Sequence, residues 1–176
     1  TKIAADQLAI SYHRSFALPI KIVRPFNTYG PRQSSRAIIP TIIAQCLSDN
    51  SELKLGNLNP TRDLTFVQDT CNGFLEVYKS NNFFGEATNI GMNSEISIKD
   101  LSSLIINLTG VNVLFSDEAK RKRPEKSEVE RLLCDNTKLI SNSSWKPKYD
   151  LNKGLLETIK WFKANHHLFK SDQYNV

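Results

Sequence analysis

The chain has 176 residues, enough for one domain or one half of a larger two-part protein, and its 40% hydrophobic and 23% charged content is that of an ordinary soluble globular chain. No apolar run nears the roughly 20 residues of a membrane span, and no charged-then-apolar leader opens the sequence. A net charge of +5 admits nucleic acid, an anionic membrane or a phosphorylated substrate as partner. The arginines sit beside loop signals instead of lining one helix face, which favours the phosphorylated substrate and argues against nucleic acid and membrane.

Thr1 is followed at once by helical periodicity: Ile3, Ala4, Leu8, Ala9 and Tyr12 share a spacing that predicts a helix over 2–16, with Asp6, Gln7 and Arg14 left for solvent or a partner. An uncapped start on Thr suggests a chain entered partway. Pro19 closes the connection, and the β-branched run Ile20-Lys21-Ile22-Val23 predicts a strand through 26. Ser34 and Ser35 precede a helix over Ala37–Leu47, with Pro40 tolerated near its first turn. Residues 52–55 read as a short strand ended by Gly56-Asn57, and 62–67 alternate as a strand does. Asp69 then reads as the cap of a helix carrying Phe74, Leu75, Val77 and Tyr78.

Residues 86–90 predict another strand. Ser97-x-x-Asp100 has the form of a capping box, opening a helix that runs to a C-terminal Gly110. A strand over 111–115, a charged loop over 117–131, a short helix from Asp135 and an amphipathic helix over Leu151–Phe169 complete the chain. Strands and helices alternate, so the class is α/β. Cys46, Cys71 and Cys134 lack any CxxC or His-linked spacing and read as buried, reduced thiols, which suits the cytoplasm and argues against a metal site. His13, His166 and His167 offer no ligand spacing and read as surface or packing residues.

The string Arg24-Pro25-Phe26-Asn27-Thr28-Tyr29-Gly30-Pro31-Arg32-Gln33 falls at the carboxyl end of the first strand, where ligands bind in open α/β sheets. Together with Lys2 on the preceding helix and Arg62-Asp63-Leu64-Thr65-Phe66-Val67-Gln68-Asp69, it resembles the extended short-chain dehydrogenase/reductases that act on nucleotide-activated sugars. The likeness covers residues 1–169 and is greatest to the NAD-dependent 4,6-dehydratase branch that includes GDP-mannose 4,6-dehydratase-like proteins. It implies the C-terminal part of an extended enzyme of this type: the end of a Rossmann-type parallel sheet plus a smaller α/β substrate-binding domain. Residues 1–33 would belong to the NAD-binding domain and 34–176 mainly to the substrate domain, with some segments returning to the Rossmann sheet.

The resemblance also implies roles. Lys2, otherwise a solvated charge, would hold the cofactor ribose and lower the pKa of a tyrosine four residues earlier, before residue 1. Pro25 and Phe26 would lie against the nicotinamide of NAD (preferred to NADP). Asn27 would donate its amide to the diphosphate or sugar; the alternative for 27–31 is a plain turn. Arg62 would clamp the diphosphate, a task suited to a planar guanidinium; the alternative is a surface ion pair with Asp63 or Asp69. Arg36 beside a helix start suits a phosphate, or is a surface arginine behind an ordinary cap. Leu53 and Leu55 match the segment that flanks the nucleotide base. Arg123, before Pro124, would reach the diphosphate or ribose, or stay solvated. The stretch from Asp135 to Lys138, with Trp145-Lys146-Pro147, resembles a closing signature that is structural.

These seven glycines form no GxxGxxG loop. That loop, the acidic ribose-binding residue, the tyrosine and the eliminating acid and base would lie upstream of Thr1. The activity implied is oxidation of a nucleotide sugar at C4, loss of water across C5–C6 and return of the hydride to C6, by an enzyme that is a homodimer at full length. A 4-epimerase or UDP-glucuronate decarboxylase would present much the same substrate half, and a non-catalytic phosphate-ligand module is the alternative of another class.

Overall fold

A computed structural model of the protein describes residues 1–48, 52–117 and 128–168. In chain order, α1 spans Lys2–Phe16, β1 Ile22–Pro25, β2 Asn27–Tyr29, α2 Ile38–Cys46, β3 Glu52–Leu55, β4 Thr61–Arg62, β5 Leu64–Phe66 and α3 Val67–Lys79. They are followed by β6 Ala87–Ile90, β7 Ile96–Ser97, α4 Ile98–Thr109, β8 Leu114–Asp117, β9 Arg131–Leu132, α5 Thr137–Asn142 and α6 Leu151–Ala164. The chain is α/β, with parallel pairs β1–β6 and β3–β8.

Two compact units are each built from separated segments: Thr1–Thr28, Asp63–Ser94 and Leu133–Lys148 in the first, Tyr29–Arg62, Glu95–Leu132 and Tyr149–Val176 in the second. The first passage between them falls at Thr28 instead of Gln33. Tyr29 explains why: it is buried in the second unit, 2% exposed, and its hydroxyl donates to the Leu151 carbonyl at 3.3 Å.

In the first unit, β1 and β6 pair from Ile22↔Ala87 to Pro25↔Ile90. Parallel neighbours need a crossover, and α3, part of that connection, packs on both strands. Val77, Phe83, Ile90, Leu139 and Trp145 form the core under them, with Val23 against it. The ammonium of Lys21 donates to the carbonyls of Val77 and Tyr78, each at 2.9 Å, and to that of Ser80. A cation there satisfies acceptors that the C-terminus of α3 would otherwise leave open.

Two buried carboxylates tie the segments of this unit together. Asp63, 0% exposed, accepts from the backbone N–H of Met92 at 2.8 Å, Ser94 at 3.4 Å and Cys134 at 3.1 Å. This inward turn interrupts the single strand expected over 62–67, splitting it into β4 and β5. Asp69 is no helix cap: α3 starts after Phe66, and the fully buried Asp69 carboxylate accepts from Lys148 N at 2.9 Å while its carbonyl takes the Trp145 indole N–H at 3.0 Å. Gly91 lies against the same junction, where an added Cβ would stand 2.3 Å from that of Cys134.

In the second unit α2, α4 and α6 pack on one another, with α2 against β3. Ile39, Ile42, Ile43, Leu101, Ile105, Leu155, Ile159 and Phe162 are buried there. The Gln45 amide meets both backbone groups of Lys54, accepting its N–H at 2.8 Å and donating to its carbonyl at 3.1 Å, so a side chain satisfies backbone polar groups of β3. Ser97 caps α4 by accepting from Asp100 N at 3.0 Å, and Gly110 ends it at φ 74°, as the capping-box reading expects. The last helix stops at Ala164, short of Phe169, with Asp150 as its cap. The strand expected over 111–115 begins at Leu114, where pairing with Glu52 sets its register.

Cys46 and Cys134 are buried, but Cys71 is exposed, against expectation: it lies on the outer face of α3 with Phe74, Leu75 and Tyr78. Burial, reinforced by the Asp63 and Asp135 carboxylates, pushes the Cys134 thiol up to about 12, and burial raises that of Cys46. The thiolate is the nucleophile, so near pH 8 both buried cysteines stay protonated and shielded. Brief alkylation of the native protein at that pH is expected to modify Cys71 alone, and alkylation after denaturation all three, read by mass spectrometry. Replacing Asp63 by Ala orphans three backbone donors and is expected to cost at least about 3 kcal/mol in urea unfolding.

Candidate functional site

α1 is amphipathic, and its apolar stripe lies on the exposed side. None of its residues is fully buried: Ile3, Leu8 and Phe16, 79%, 61% and 67% exposed, lie on its outer face, while Asp6, Ala9, Ile10 and His13 form a half-buried face. Asp6, expected to face solvent or a partner, pairs with Arg24: Asp6 Oδ2 accepts from Arg24 Nη2 at 2.7 Å and from Nε at 2.8 Å. At the other end His13 Nδ1 donates to the Leu18 carbonyl at 2.6 Å, and its ring lies over Gly85, where an added Cβ would come within 2.2 Å. Gly85 also sits at φ +70°, a backbone conformation that glycine adopts without strain.

These two contacts set the register of helix against strand. Gly85 N donates to Ile20 O at 2.8 Å, so His13 stands near the entrance of β1 and Asp6 near its exit. Helix and strand therefore run antiparallel. Positions 2, 6 and 13 share one helical face, and four residues carry the helix about 6 Å beyond Asp6 to Lys2. Two strand residues carry the chain about 7 Å beyond Arg24 to Phe26. Lys2, one turn before Asp6, therefore lies at the helix end nearer the exit of β1.

The strand end itself is open. Pro25 is exposed, Phe26 and Asn27 are half-buried, and Phe26 N donates to Ile90 O at 2.8 Å, which fixes the backbone as it leaves the sheet. The Thr28 hydroxyl is 3.0 Å from that of Thr70 on α3. The first unit carries the exposed Lys2 on α1 and Pro25, Phe26 and Asn27 at the exit of β1. A nicotinamide ring needs a flat apolar surface on one face, and its ribose needs a donor, so this set fits that group.

In the second unit Arg62 is paired with neither Asp63 nor Asp69. Its Nη2 lies 3.0 Å from Glu128 Oε1, and its Nη1 donates to the carbonyls of Thr61 at 2.8 Å and Val129 at 2.6 Å. Among the described residues three of the five guanidinium N–H groups are engaged. On the same three-stranded sheet, β7-β4-β9, Glu95 accepts from Arg131 and from the Thr61 hydroxyl at 2.7 Å, and the Arg131 hydrogen bond chiefly holds its carboxyl below the usual range.

Arg36 is exposed, just before α2, which begins after Ala37 without a side-chain cap, so Ser34 and Ser35 do not cap it. Leu53 and Leu55 are 0% and 3% exposed, their side chains in the core of the second unit. The strand's alternation sends Glu52 and Lys54 outward. Arg123 lies outside the described residues. Sequence reasoning missed the Asp6–Arg24 pair, although Asp6 follows Lys2 at i+4, and the Arg62–Glu128 pair, which joins residues 66 apart. No group of three His, Cys, Asp or Glu among the described residues could hold a metal, and no helix there is long and apolar enough to cross a membrane.

The chain is similar to known proteins over most of its length. Residues 1–158 match the family described as GDP-mannose 4,6 dehydratase. A dTDP-glucose 4,6-dehydratase of Streptomyces antibioticus is 28% identical over 94% of the chain and 48% of its own length. A protein of Methanocaldococcus jannaschii described as a putative UDP-glucose 4-epimerase is 30% identical over 94% of the chain and 53% of its own. The structure of UDP-glucuronic acid 4-epimerase from Bacillus cereus with UDP-glucuronic acid and NAD superposes with a TM-score of 0.83 at 28% identity, over 93% of this chain and 51% of that one. The chain spans about half the length of the curated relatives it matches. With a match across residues 1–158, the chain belongs to the GDP-mannose 4,6 dehydratase family.

Proposed function

We propose that the protein containing this chain is a nicotinamide-dependent enzyme that modifies a nucleotide-diphosphate sugar, a 4,6-dehydratase in preference to a 4-epimerase or a uronate decarboxylase. The observation that carries this reading is the family match across residues 1–158; the Asp6–Arg24 pair, which ties the N-terminal part of α1 to the exit end of β1, supports the place proposed for Lys2. Relatives of both the dehydratase and the epimerase kind support the substrate class. NAD is the proposed cofactor, in line with the NAD-bound epimerase of similar fold.

Hydride acceptance from the sugar is the chemistry a bound nicotinamide supplies. Around it, the Lys2 ammonium would donate to the ribose hydroxyls and, as a nearby cation, lower the pKa of an adjacent acid/base group. Pro25 and Phe26 would exclude water from one face of the ring. The Asn27 amide would donate to the sugar or its diphosphate. In the second unit Arg62, held in place by Glu128, would present its guanidinium to the diphosphate, with Arg36 and Arg123 as further cations for the same anion. A diphosphate leaves water at high cost unless fixed donors replace its hydration, and charge-assisted hydrogen bonds are the strong kind.

The exposed apolar stripe of α1 suits a homodimer in which it meets the same helix of a second copy. A cytoplasmic setting belongs to the same reading.

Arg62→Ala in the protein expressed from its complete reading frame is expected to weaken nucleotide-sugar binding at least about ten-fold, the loss of one charge-assisted contact, while NAD affinity stays within error. Isothermal titration with each ligand measures both. Equal loss of the two affinities would signal misfolding, and unchanged nucleotide-sugar affinity would leave Arg62 as the structural partner of Glu128.

A further inference from the structure

We propose that Asp6 and Arg24 are a positioning pair for Lys2, holding its ammonium at the strand end and keeping it unneutralised; this rests on the reading of Lys2 as a cofactor-facing residue. No residue of α1 is fully buried, and its half-buried apolar positions, Ala9 and Ile10, lie between the two polar ties and leave the Lys2 end without apolar packing of its own. Its described polar ties are few: the His13 contacts near its C-terminal end and the Asp6–Arg24 pair near its N-terminal end. Lys2 lies one turn from the second tie and three turns from the first, so Asp6–Arg24 governs where the Lys2 end of the helix sits.

The second effect is electrostatic. Asp6 is four residues from Lys2, the spacing at which a helical carboxylate and ammonium neutralise each other. Both bonds from the guanidinium edge of Arg24 fall on one oxygen of Asp6, at 2.7 Å and 2.8 Å, and this commits the carboxylate to the strand. Asp6 has an intermediate exposure of 21% against 51% for Arg24, so it is the better shielded partner. Arg24 immediately precedes Pro25, so the residue that draws Asp6 away from Lys2 also leads into the strand exit, the side on which the Lys2 end of α1 lies.

The two effects separate in a mutant cycle. Arg24→Gln removes the tie and frees Asp6 to capture Lys2, so both positioning and charge are lost. Asp6→Asn removes the tie but leaves Lys2 unpaired, so positioning alone is lost. In the protein expressed from its complete reading frame, turnover of a nucleotide sugar with NAD is measured for wild type, both single variants and the double variant. The expected kcat falls are about a hundred-fold for Arg24→Gln and about ten-fold for Asp6→Asn, the scale of small misplacements at a reacting centre. The double variant should recover to the Asp6→Asn level, with nucleotide-sugar affinity unchanged throughout. A pair that is merely structural predicts no such recovery, since the double variant would be at least as impaired as Arg24→Gln. That result, or wild-type kcat in Arg24→Gln, would overturn the proposal. Absence of both NAD binding and turnover in the wild type would instead overturn the functional reading on which it rests.

Discussion

The buried Asp63 carboxylate is the constraint on which the first unit depends. It accepts three backbone N–H bonds, from Met92 and Ser94 just after β6 and from Cys134 in a segment about seventy residues further on. A fully buried carboxylate is costly without such donors, and the donors are costly without it, so the arrangement forms as a whole or not at all. Its consequence reaches the site directly. The turn it pins begins right after Ile90, whose carbonyl accepts from Phe26 N. The end of β6 thus fixes the point at which Pro25, Phe26 and Asn27 leave the sheet.

On the other side of that strand end, α1 solves a different problem. Its half-buried face meets the strand through an ion pair and a histidine packed on glycine, while its outer apolar stripe stays open. An exposed ion pair is ordinarily worth little to stability, but here its consequence is geometric. It ties the Asp6 face of the helix to β1 near that strand's exit. The same arrangement leaves the apolar stripe available to a partner helix.

Much of this was legible in the sequence, and the parts that were not share a cause. Alternation and capping signals predicted the α/β order, the Ser97–Asp100 box and the ends of α1, because these are local preferences. What was not legible in α1 is its tie to the sheet: periodicity gives a helix two faces, but the pairing of Asp6 with Arg24 joins residues 18 apart. The roles of Asp63 and Asp69 were hidden because their donors lie up to about eighty residues away. Leu53 and Leu55 fit a base-flanking pattern, and an alternating strand over a helical layer buries its leucines and turns Lys54 outward. Arg62 pairs with neither neighbouring aspartate, and its partner Glu128 could be found only by the pairing of β4 with β9.

The account stands on Lys2, at the end of α1 nearer the exit of β1, being the residue that faces the cofactor. The direct measurement is nucleotide-sugar turnover by Lys2→Met in the protein expressed from its complete reading frame, with circular dichroism as the check on folding. Loss of turnover by two orders of magnitude or more, roughly the contribution of a positioned acid/base apparatus, with an unchanged spectrum, is the result predicted. Turnover at the wild-type rate would contradict it.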